Sequence, residues 1–240
     1  MEFATIDETQ LTAAKETSLS EAPELESLSA FWQLLNDEEN ADAKRMQAQL
    51  TDAQWAVLQS ALLDYDQFAI AEIRQKHDTL RLIGQDNFRL YQPMPHLRIR
   101  VSTADSLLSI IARAAAVIAV GGRATLSHAE GVQVDSLKLL EALTREWAAD
   151  LEFVEESDGE LVAAIREGQV DRVRYALPAN VPPAVRQAAE EQFIYIADAP
   201  VSPCGRIELL WYVREQSLCV DYHRYGNLGF RATENRSEPA

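Results

Sequence analysis

The chain has 240 residues, 47% of them apolar, which is enough for a hydrophobic core and for one or two domains. Its formal net charge of −16 disfavours nucleic acids and anionic membranes as partners. The longest apolar stretch, from Ile110 to Val120, contains Arg113 and falls short of the roughly 18–20 residues that a membrane-spanning helix needs. The first residues are acidic where a secretory signal has Lys or Arg. We therefore expect a cytoplasmic protein that binds neither nucleic acid nor membrane.

The first third of the chain predicts helices after a lead-in. Residues 1–22 lack apolar periodicity and predict a disordered segment. Residues 23–92 predict a helical segment, in which the pattern is clearest from Leu25 to His77. Its apolar stripes include Trp32 and Trp55, which we interpret as core residues rather than as aromatics that stack on a ligand.

Strand-like and helix-like patterns then alternate over residues 93–231, and residues 232–240 predict a tail. Predicted strands lie at 97–101, 123–127, 151–155, 171–176 and 193–197. Predicted helices lie at 134–148, 158–166 and 182–191, and a further helix runs to Val120 from a capping box at Ser102–Asp105. Repeated β-α units predict an α/β fold, with a Rossmann-like, doubly wound, mainly parallel sheet that the helical segment precedes.

The turns of this predicted sheet lack the features that hold a dinucleotide. Gly121 and Gly122 follow a helix and precede a strand, so they indicate a helix C-terminal cap rather than a phosphate-binding turn. No turn from a strand to a helix contains G-x-G-x-x-G or a Walker motif. Prolines in the turn at 177–183 remove N–H donors that a diphosphate needs. We expect no cofactor-binding residue in this chain.

The residues that could supply a nucleophile or a metal ligand are few and scattered. Cys204 and Cys219 are too few for a disulfide framework, lack the spacing of a zinc site and stand in no recognisable catalytic motif. The histidines are equally separate, at His77, His96, His128 and His223. We expect no catalytic residue and no metal site.

The most distinctive motif is at the C-terminal end. Residues 205–217 and 218–229 predict an amphipathic helix that runs into a strand and ends in Tyr-His-Arg-Tyr-Gly-Asn. This ending resembles the terminal segment of the bifunctional proline dehydrogenase/L-glutamate-γ-semialdehyde dehydrogenases, the proline utilization A family. The stretches 82–91 and 172–176 agree with it in the same order, so the resemblance covers roughly residues 65–231.

The resemblance implies that residues 93–231 form a Rossmann-like domain of the aldehyde dehydrogenase superfamily. In the family the matching region is an extra C-terminal domain, a non-catalytic copy of the NAD-binding half that is implicated in packing and oligomer architecture. This chain departs from catalytic relatives in four places. Ser127-His128 stand where a Lys-Pro pair is found, and three motifs are missing: the G-S-T-x-x-G turn, the glutamate-leucine-glycine-glycine segment that would fall near Ile196 to Pro200, and the catalytic cysteine motif. Each departure argues against activity in this chain.

The leading hypothesis is therefore a structural or assembly domain of a proline-catabolic L-glutamate-γ-semialdehyde (1-pyrroline-5-carboxylate) dehydrogenase. The implied partners are a catalytic dehydrogenase domain or subunit, which would bind the NAD, or another copy of this chain. The expected interaction surface comprises Tyr222, His223, Arg224, Tyr225 and Asn227, because aromatic and Arg side chains are typical of interface centres. Two alternatives stay open: a free-standing degenerate aldehyde dehydrogenase, and a module that binds a small ligand at the sheet edge.

Overall fold

The computed structural model describes residues 26–82, 85–132, 134–145 and 150–221. Its helices are α1 (Glu26–Leu35), α2 (Ala41–Gln47), α3 (Asp52–Phe68), α4 (Leu107–Ala119), α5 (Asp135–Leu143), α6 (Asp158–Arg166), α7 (Pro183–Glu191) and α8 (Gly205–Glu208). Its strands are β1 (Gln85–Pro93), β2 (Leu97–Val101), β3 (Ala124–His128), β4 (Leu151–Glu155), β5 (Arg172–Arg174), β6 (Tyr195–Ala197) and β7 (Val213–Asp221). A π-helical turn, Ala69–Ile73, continues α3, and 3-10 turns span Pro178–Asn180 and Leu209–Trp211.

Five strands form one parallel sheet in the order β4-β3-β2-β5-β6, which confirms the predicted α/β, Rossmann-like architecture. The helices α4 and α5 connect β2 to β3 and β3 to β4, on one side of β2. Helix α6 then leads from β4 back across to β5, on the other side of β2, and α7 connects β5 to β6. Since such crossovers are right-handed, the two pairs cover opposite faces of the sheet. The chain therefore leaves β2 and β5, which are neighbours, toward opposite faces. This switch point is where open α/β sheets usually bind ligands.

The helix α4 is buried on all sides. Every residue from Leu107 to Ala119 is buried, because the sheet covers one side of the helix while α1 and α3 pack on the other. The predicted helical segment thus supplies a third layer above the sheet. Trp32 and Trp55 stack at 5.2 Å within this layer and pack against the core, which confirms their interpretation as core residues. Among the described residues, none of the helices combines the length and apolar composition that crossing a membrane requires.

The turn before α4 differs from the prediction. Ser102 and Asp105 do bond each other, with the Ser102 hydroxyl 2.9 Å from Asp105 Oδ1, but this pair closes a turn that precedes the helix. The helix begins at Leu107, and its N-cap is Ser106, whose Oγ accepts the N–H of Ser109 at 3.2 Å. The predicted capping box was wrong because the Asp105 carboxylate points to a buried guanidinium instead of the helix N-terminus. At the other end of α4, Gly121 has φ of +66° and confirms the predicted C-terminal cap.

Two further expectations were wrong. The strand β1 (Gln85–Pro93) takes up the last eight residues of the predicted helical segment 23–92. The predicted helix over 205–217 ends at Glu208, and β7 begins at Val213. The reason is common to both: β1 and β7 pair antiparallel with each other, from Gln85 opposite Asp221 to Pro93 opposite Val213. Because the two strands are far apart in the sequence, no pattern among neighbouring residues indicates that they pair. The predicted lead-in at 1–22, the end of the predicted helix 134–148 and the tail at 232–240 lie outside the described residues.

The strands β1 and β7 form a two-stranded ribbon apart from the main sheet. In β7 only Val213 is buried, and the residues that follow it in the strand are exposed. A two-stranded ribbon by itself is marginally stable in water, so the contacts at its base are expected to hold it in place.

The short helix α8 packs directly on the backbone of α3, and Gly205 makes this approach feasible. A Cβ atom at position 205 would lie 2.7 Å from the carbonyl oxygen of Asp64 and 3.0 Å from Cα of Tyr65. We expect Gly205→Ala to lower the free energy of unfolding by about 1–3 kcal/mol, because backbone atoms must move to admit the methyl group. Urea unfolding measures this change. Gly159→Ala is the control, since its Cβ would meet only Ser157 Oγ at 3.8 Å, and equal stability of both variants would contradict the close packing.

Asp66 predicts an unusual dependence of stability on pH. It lies on α3 with 3% of its surface exposed, and burial raises its pKa to about 6 despite the opposing charge of Arg74. Because the folded pKa exceeds the ordinary value near 4, this group favours the folded state at low pH, and the contribution is lost as pH rises through about 6. We expect Asp66→Asn to stabilise the protein by about 1–2 kcal/mol at pH 8 and to have little effect at pH 4. Thermal unfolding of this variant and of the exposed control Glu38→Gln at both pH values tests this, and equal effects at pH 4 and pH 8 would contradict it.

Candidate functional site

The switch point lies between the loops that follow β2 and β5. Asn180, in the turn after β5, reaches across it, with Nδ2 3.1 Å from Ser102 Oγ and 3.3 Å from Asp105 Oδ1. A cavity of about 170 Å³ beside this bridge is lined by Ala104, Asp105, Ser106, Ser109, Ala176, Leu177, Pro200 and Val201. This space is smaller than the roughly 300–1,000 Å³ of most small-molecule sites. The bridge thus narrows the crevice where a doubly wound sheet would hold its ligand.

A buried ion pair fills the carboxyl ends of β5 and β6. Arg174 and Glu208 are both fully buried, and Arg174 Nη2 lies 2.8 Å from Glu208 Oε1. Arg174 Nη1 also donates to the carbonyl oxygens of Ala197 at 3.2 Å and of Ala199 at 2.6 Å, on the chain that leaves β6. Burial alone would lower the pKa of Arg174, but Tyr212 and Glu208 raise it above its ordinary value, so the guanidinium stays charged.

The same network reaches the helical layer. Tyr65 on α3 donates its hydroxyl to the carbonyl oxygen of Ser202 at 2.5 Å, and the N–H of Ser202 donates to Glu208 Oε2 at 2.9 Å. Burial raises the pKa of Tyr65 well above its ordinary value, so it remains a neutral hydroxyl. The charged groups at this edge are therefore engaged in joining α3 to the main sheet. Sequence reasoning missed the network, because Arg174 and Glu208 lie far apart in the chain.

Two helix N-termini at this edge, those of α6 and α7, are poorly suited to phosphate. Ser157 caps α6 by accepting the N–H of Glu160 at 3.2 Å, and Asp158 and Glu160 place negative charge in the first turn. α7 follows Pro182 and begins at Pro183, and neither residue has an N–H to donate. A phosphate group needs free N–H groups and positive charge at a helix N-terminus. Neither helix provides this combination.

The cysteines and histidines remain scattered in the structure. Cys204 lies just before α8, where its N–H donates to Ser202 Oγ, and Cys219 lies exposed on β7, where Gln85 Nε2 is 3.1 Å from its Sγ. The described histidines each contact a different neighbour: Glu72 for His77, Asp171 for His96 and the carbonyl oxygen of Ala129 for His128. Within the described ranges, no three His, Cys, Asp or Glu residues come together as a metal site.

The ribbon is fixed at the π-helical turn by the carboxylate of Glu72. Arg89 Nη1 lies 2.5 Å from Glu72 Oε1, and the Tyr91 hydroxyl donates to the same oxygen at 3.3 Å. His77 forms an antiparallel bridge with Arg89. Burial alone would raise the pKa of Glu72, but the hydrogen bond from Arg89 lowers it below its ordinary value, so the carboxylate is charged at neutral pH. These contacts hold β1, and with it the exposed strand β7.

An aromatic patch, defined by Phe193, Tyr195 and Trp211, lies at the edge strand β6. Phe193 is 97% exposed with φ of +55°, a conformation that costs a bulky residue free energy. Tyr195 is 53% exposed and stacks on Trp211 at 5.7 Å. Arg172 connects the patch to the ribbon, because its guanidinium faces the Tyr195 ring at 5.8 Å and donates to the carbonyl oxygen of Val213 at 2.9 Å. Phe193 and Tyr195 belong to the predicted strand 193–197, and their local sequence pattern does not indicate an interface.

The predicted interaction surface lies outside the described residues. Tyr222, His223, Arg224, Tyr225 and Asn227 follow Asp221, the last described residue of β7. Their role at an interface therefore stays a prediction. The described part of β7, which leads directly to them, is exposed along its length after Val213.

The sequence matches no protein-family model and no curated protein. Several solved structures have a similar fold. The NAD+ complex of an aldehyde dehydrogenase from Bacillus cereus superposes with a TM-score of 0.53 at 18% identity, over 77% of this chain and 40% of that one. For a succinate-semialdehyde dehydrogenase from Burkholderia pseudomallei the TM-score is 0.53 and the identity 12%, over 79% and 40% of the two chains. For Proline Utilization A from Corynebacterium freiburgense the TM-score is 0.45 and the identity 19%, over 73% of this chain and 15% of that one.

The chain thus has an aldehyde-dehydrogenase-like fold. It spans less than half the length of each of these three proteins, and at such identities the likeness concerns the fold alone. The same fold can have different functions in different proteins, and the function depends on the residues at the site.

The Arg174–Glu208 pair predicts a large loss of stability on removing one charge. We expect Glu208→Gln to lower the free energy of unfolding by about 3–5 kcal/mol, because a buried guanidinium would lose its counter-charge. Denaturant unfolding with far-UV circular dichroism measures the change. Glu191→Gln is the control, since Glu191 pairs with Arg166 at 2.9 Å on the surface and its loss is expected to change stability little. Similar melting of both variants would show that the buried pair does not anchor this edge.

Proposed function

We propose that this chain is a non-catalytic assembly domain that docks on an NAD-dependent aldehyde dehydrogenase domain or subunit and supports its activity. The observation that carries the proposal is the closed carboxyl edge of the sheet. Side chains of the chain itself, chiefly the Arg174–Glu208 pair and the Asn180 bridge, occupy the place where this fold would hold a ligand.

The residues at this edge do not fit a bound dinucleotide. The turn that leads into α7 lacks N–H donors at Pro182 and Pro183, and the first turn of α6 is acidic. A diphosphate would therefore meet fewer N–H donors at α7 and negative charge at α6. We propose that NAD binds to the partner and not to this chain.

The ribbon and the aromatic patch are the surfaces that we propose for docking. A strand with an unpaired edge offers main-chain donors and acceptors to another chain, and β7 is exposed after Val213. The aromatic patch adds the exposed Phe193 and the stacked Tyr195 and Trp211, and Tyr195 also faces Arg172. Aromatic and Arg side chains are the types that contribute most at interface centres. The predicted surface at Tyr222 to Asn227 directly follows β7 in the sequence.

The finer assignment rests on the sequence resemblance. The motifs at 82–91, 172–176 and 205–229 favour a partner that oxidises L-glutamate γ-semialdehyde in proline catabolism. A second copy of this chain is the other partner that the exposed strand would accept. Sedimentation of the chain alone separates the two, since self-association needs no dehydrogenase.

The test of activity uses the full chain, alone and mixed with the 1-pyrroline-5-carboxylate dehydrogenase of the same organism. We expect the chain alone to show no NAD binding in calorimetry and no oxidation of L-glutamate γ-semialdehyde, and to co-sediment with the dehydrogenase. Turnover by the chain alone, lost in Cys204→Ala or Cys219→Ala, would establish a free-standing dehydrogenase instead.

The test of docking uses Phe193→Asn, because asparagine tolerates the left-handed backbone at this position while removing the exposed ring. We expect this change, as well as Tyr222→Ala and Arg224→Ala, to weaken association by about 1–3 kcal/mol while the chain stays folded. Leu177→Asn is the matched control, because Leu177 lies after β5 at the carboxyl ends of the strands, whereas Phe193 lies before β6 at the amino ends. Association that is unaffected in all three variants would remove both surfaces from the proposal.

A further inference from the structure

Three helices that cover the sheet end in the same way. In the Schellman motif the residue after the helix C-cap has a left-handed backbone, and two N–H groups bond back to carbonyl oxygens of the last turn. The helices α4, α6 and α7 each form both bonds, with N–O distances between 2.8 and 3.3 Å. The left-handed residue is Gly121 after α4 and Gly168 after α6, but it is Phe193 after α7, with φ of +55°. Of the three helices, α7 thus places a large side chain where the backbone favours glycine.

The fold gives the Phe193 side chain no contact that would offset this conformation. The left-handed region is unfavourable for a residue with a Cβ atom, because Cβ comes close to the following carbonyl oxygen. A buried ring could offset this cost by packing, but Phe193 is 97% exposed. The residue of this turn that packs on the apolar cluster around Ala189 is Ile194. Glycine would therefore suit the isolated chain better, and the exposed ring is left for another molecule to cover.

The surroundings of Phe193 are suited to an interface with a protein. Tyr195, two residues further along the chain, is 53% exposed and stacks on Trp211. The positive charge next to this pair is already engaged, because Arg172 Nη1 donates to the carbonyl oxygens of Trp211 at 3.0 Å and of Val213 at 2.9 Å. The aromatic patch therefore has the composition that is typical of an interface centre.

The unpaired charge beside Phe193 is negative. Glu190, whose carbonyl oxygen accepts the N–H of Phe193, is exposed, and within the described ranges its carboxylate forms no ion pair. Its neighbour Glu191 is paired with Arg166 at 2.9 Å. The last turn of α7 contains no basic residue, and the C-terminus of a helix carries a partial negative charge. A surface that covers Phe193 would therefore meet a negative potential around the ring.

We propose that Phe193 is the anchor of the docking surface and that it enters an apolar pocket of the partner protein, bordered by Lys or Arg side chains. Burial of the ring in this pocket offsets the unfavourable backbone, and the basic border complements Glu190 and the end of α7. The inference rests on the proposed assembly function, which supplies the partner. A lipid surface is the other possible cover for an exposed ring, but the same negative charge disfavours an anionic one.

The first test compares stability with association in Phe193→Gly. We expect this variant of the full chain to melt about 2–4 °C higher than the wild type, because glycine adopts a positive φ freely. We also expect it to bind the 1-pyrroline-5-carboxylate dehydrogenase of the same organism at least about tenfold more weakly. Phe193→Leu keeps both the backbone cost and an apolar side chain, so it should melt like the wild type and bind within about threefold of it. Thermal unfolding and sedimentation equilibrium measure the two quantities.

The outcomes that overturn the anchor are distinct from one another. A lower melting temperature of Phe193→Gly would show that the ring packs within the chain. Unchanged association of folded Phe193→Gly would remove the anchor and leave the assembly function to the ribbon. If the wild type does not associate with the dehydrogenase, the assembly function and the anchor fail together. Co-sedimentation of the wild type, but not of Phe193→Gly, with phosphatidylcholine vesicles would make lipid the cover of the ring.

The second test concerns the basic border of the pocket. Glu190→Lys reverses the unpaired charge beside the anchor, and we expect it to weaken association at least about threefold at low salt. The effect should nearly vanish in about 1 M NaCl, where the Debye length is about 3 Å. Glu38→Lys is the matched control, because Glu38 is exposed between α1 and α2, on the other side of the sheet from α7. Equal effects of the two reversals, or a weakening that does not depend on salt, would contradict a basic border.

Discussion

The complete burial of α4 is the constraint on which the rest of the structure depends. A helix that is apolar on every side needs cover on every side, and here the sheet supplies one half and α1 and α3 the other. The one charged residue of the helix, Arg113, is fully buried and is satisfied by Asp105 at 2.5 Å and by the carbonyl oxygens of Arg100 and Ser109. Because a buried guanidinium without partners would be very costly, this bond fixes the turn after β2 as well as the helix.

That fixed turn has consequences for the carboxyl edge of the sheet. Asp105 holds Arg113 with one oxygen, and its other oxygen, together with Ser102, contacts Asn180 from the loop after β5. The neighbouring Arg174–Glu208 pair ties the end of β5 to α8. The groups that could recognise a ligand at the switch point are therefore engaged with one another. The closed edge follows from the way in which the three layers are joined.

The ribbon depends on the same layers through different residues. Glu72, at the end of the helix that covers α4, holds Arg89 of β1, while Arg172 of β5 holds the carbonyl oxygen of Val213 at the start of β7. Both attachments of the ribbon are hydrogen bonds that involve a charged group. Such hydrogen bonds are about twice as strong as those between two neutral groups. The exposed strand is thus presented from a rigid base, which is the arrangement that docking on a partner requires.

The sequence by itself determined the α/β class, the core role of Trp32 and Trp55, the C-terminal cap at Gly121, and several elements, such as β2, β4 and α6, to the residue. These features follow from periodicity, turn chemistry and capping, which act over a few neighbouring residues. Only the tertiary structure decided that residues 85–93 form a strand, that Asp105 forms an ion pair with Arg113, and that Arg174 forms an ion pair with Glu208. The partners in these contacts lie between 8 residues (Asp105 and Arg113) and 136 residues (Gln85 and Asp221) apart in the chain, so no local pattern signals them. Their free energy comes from burial and charge pairing that exist only once the layers have come together.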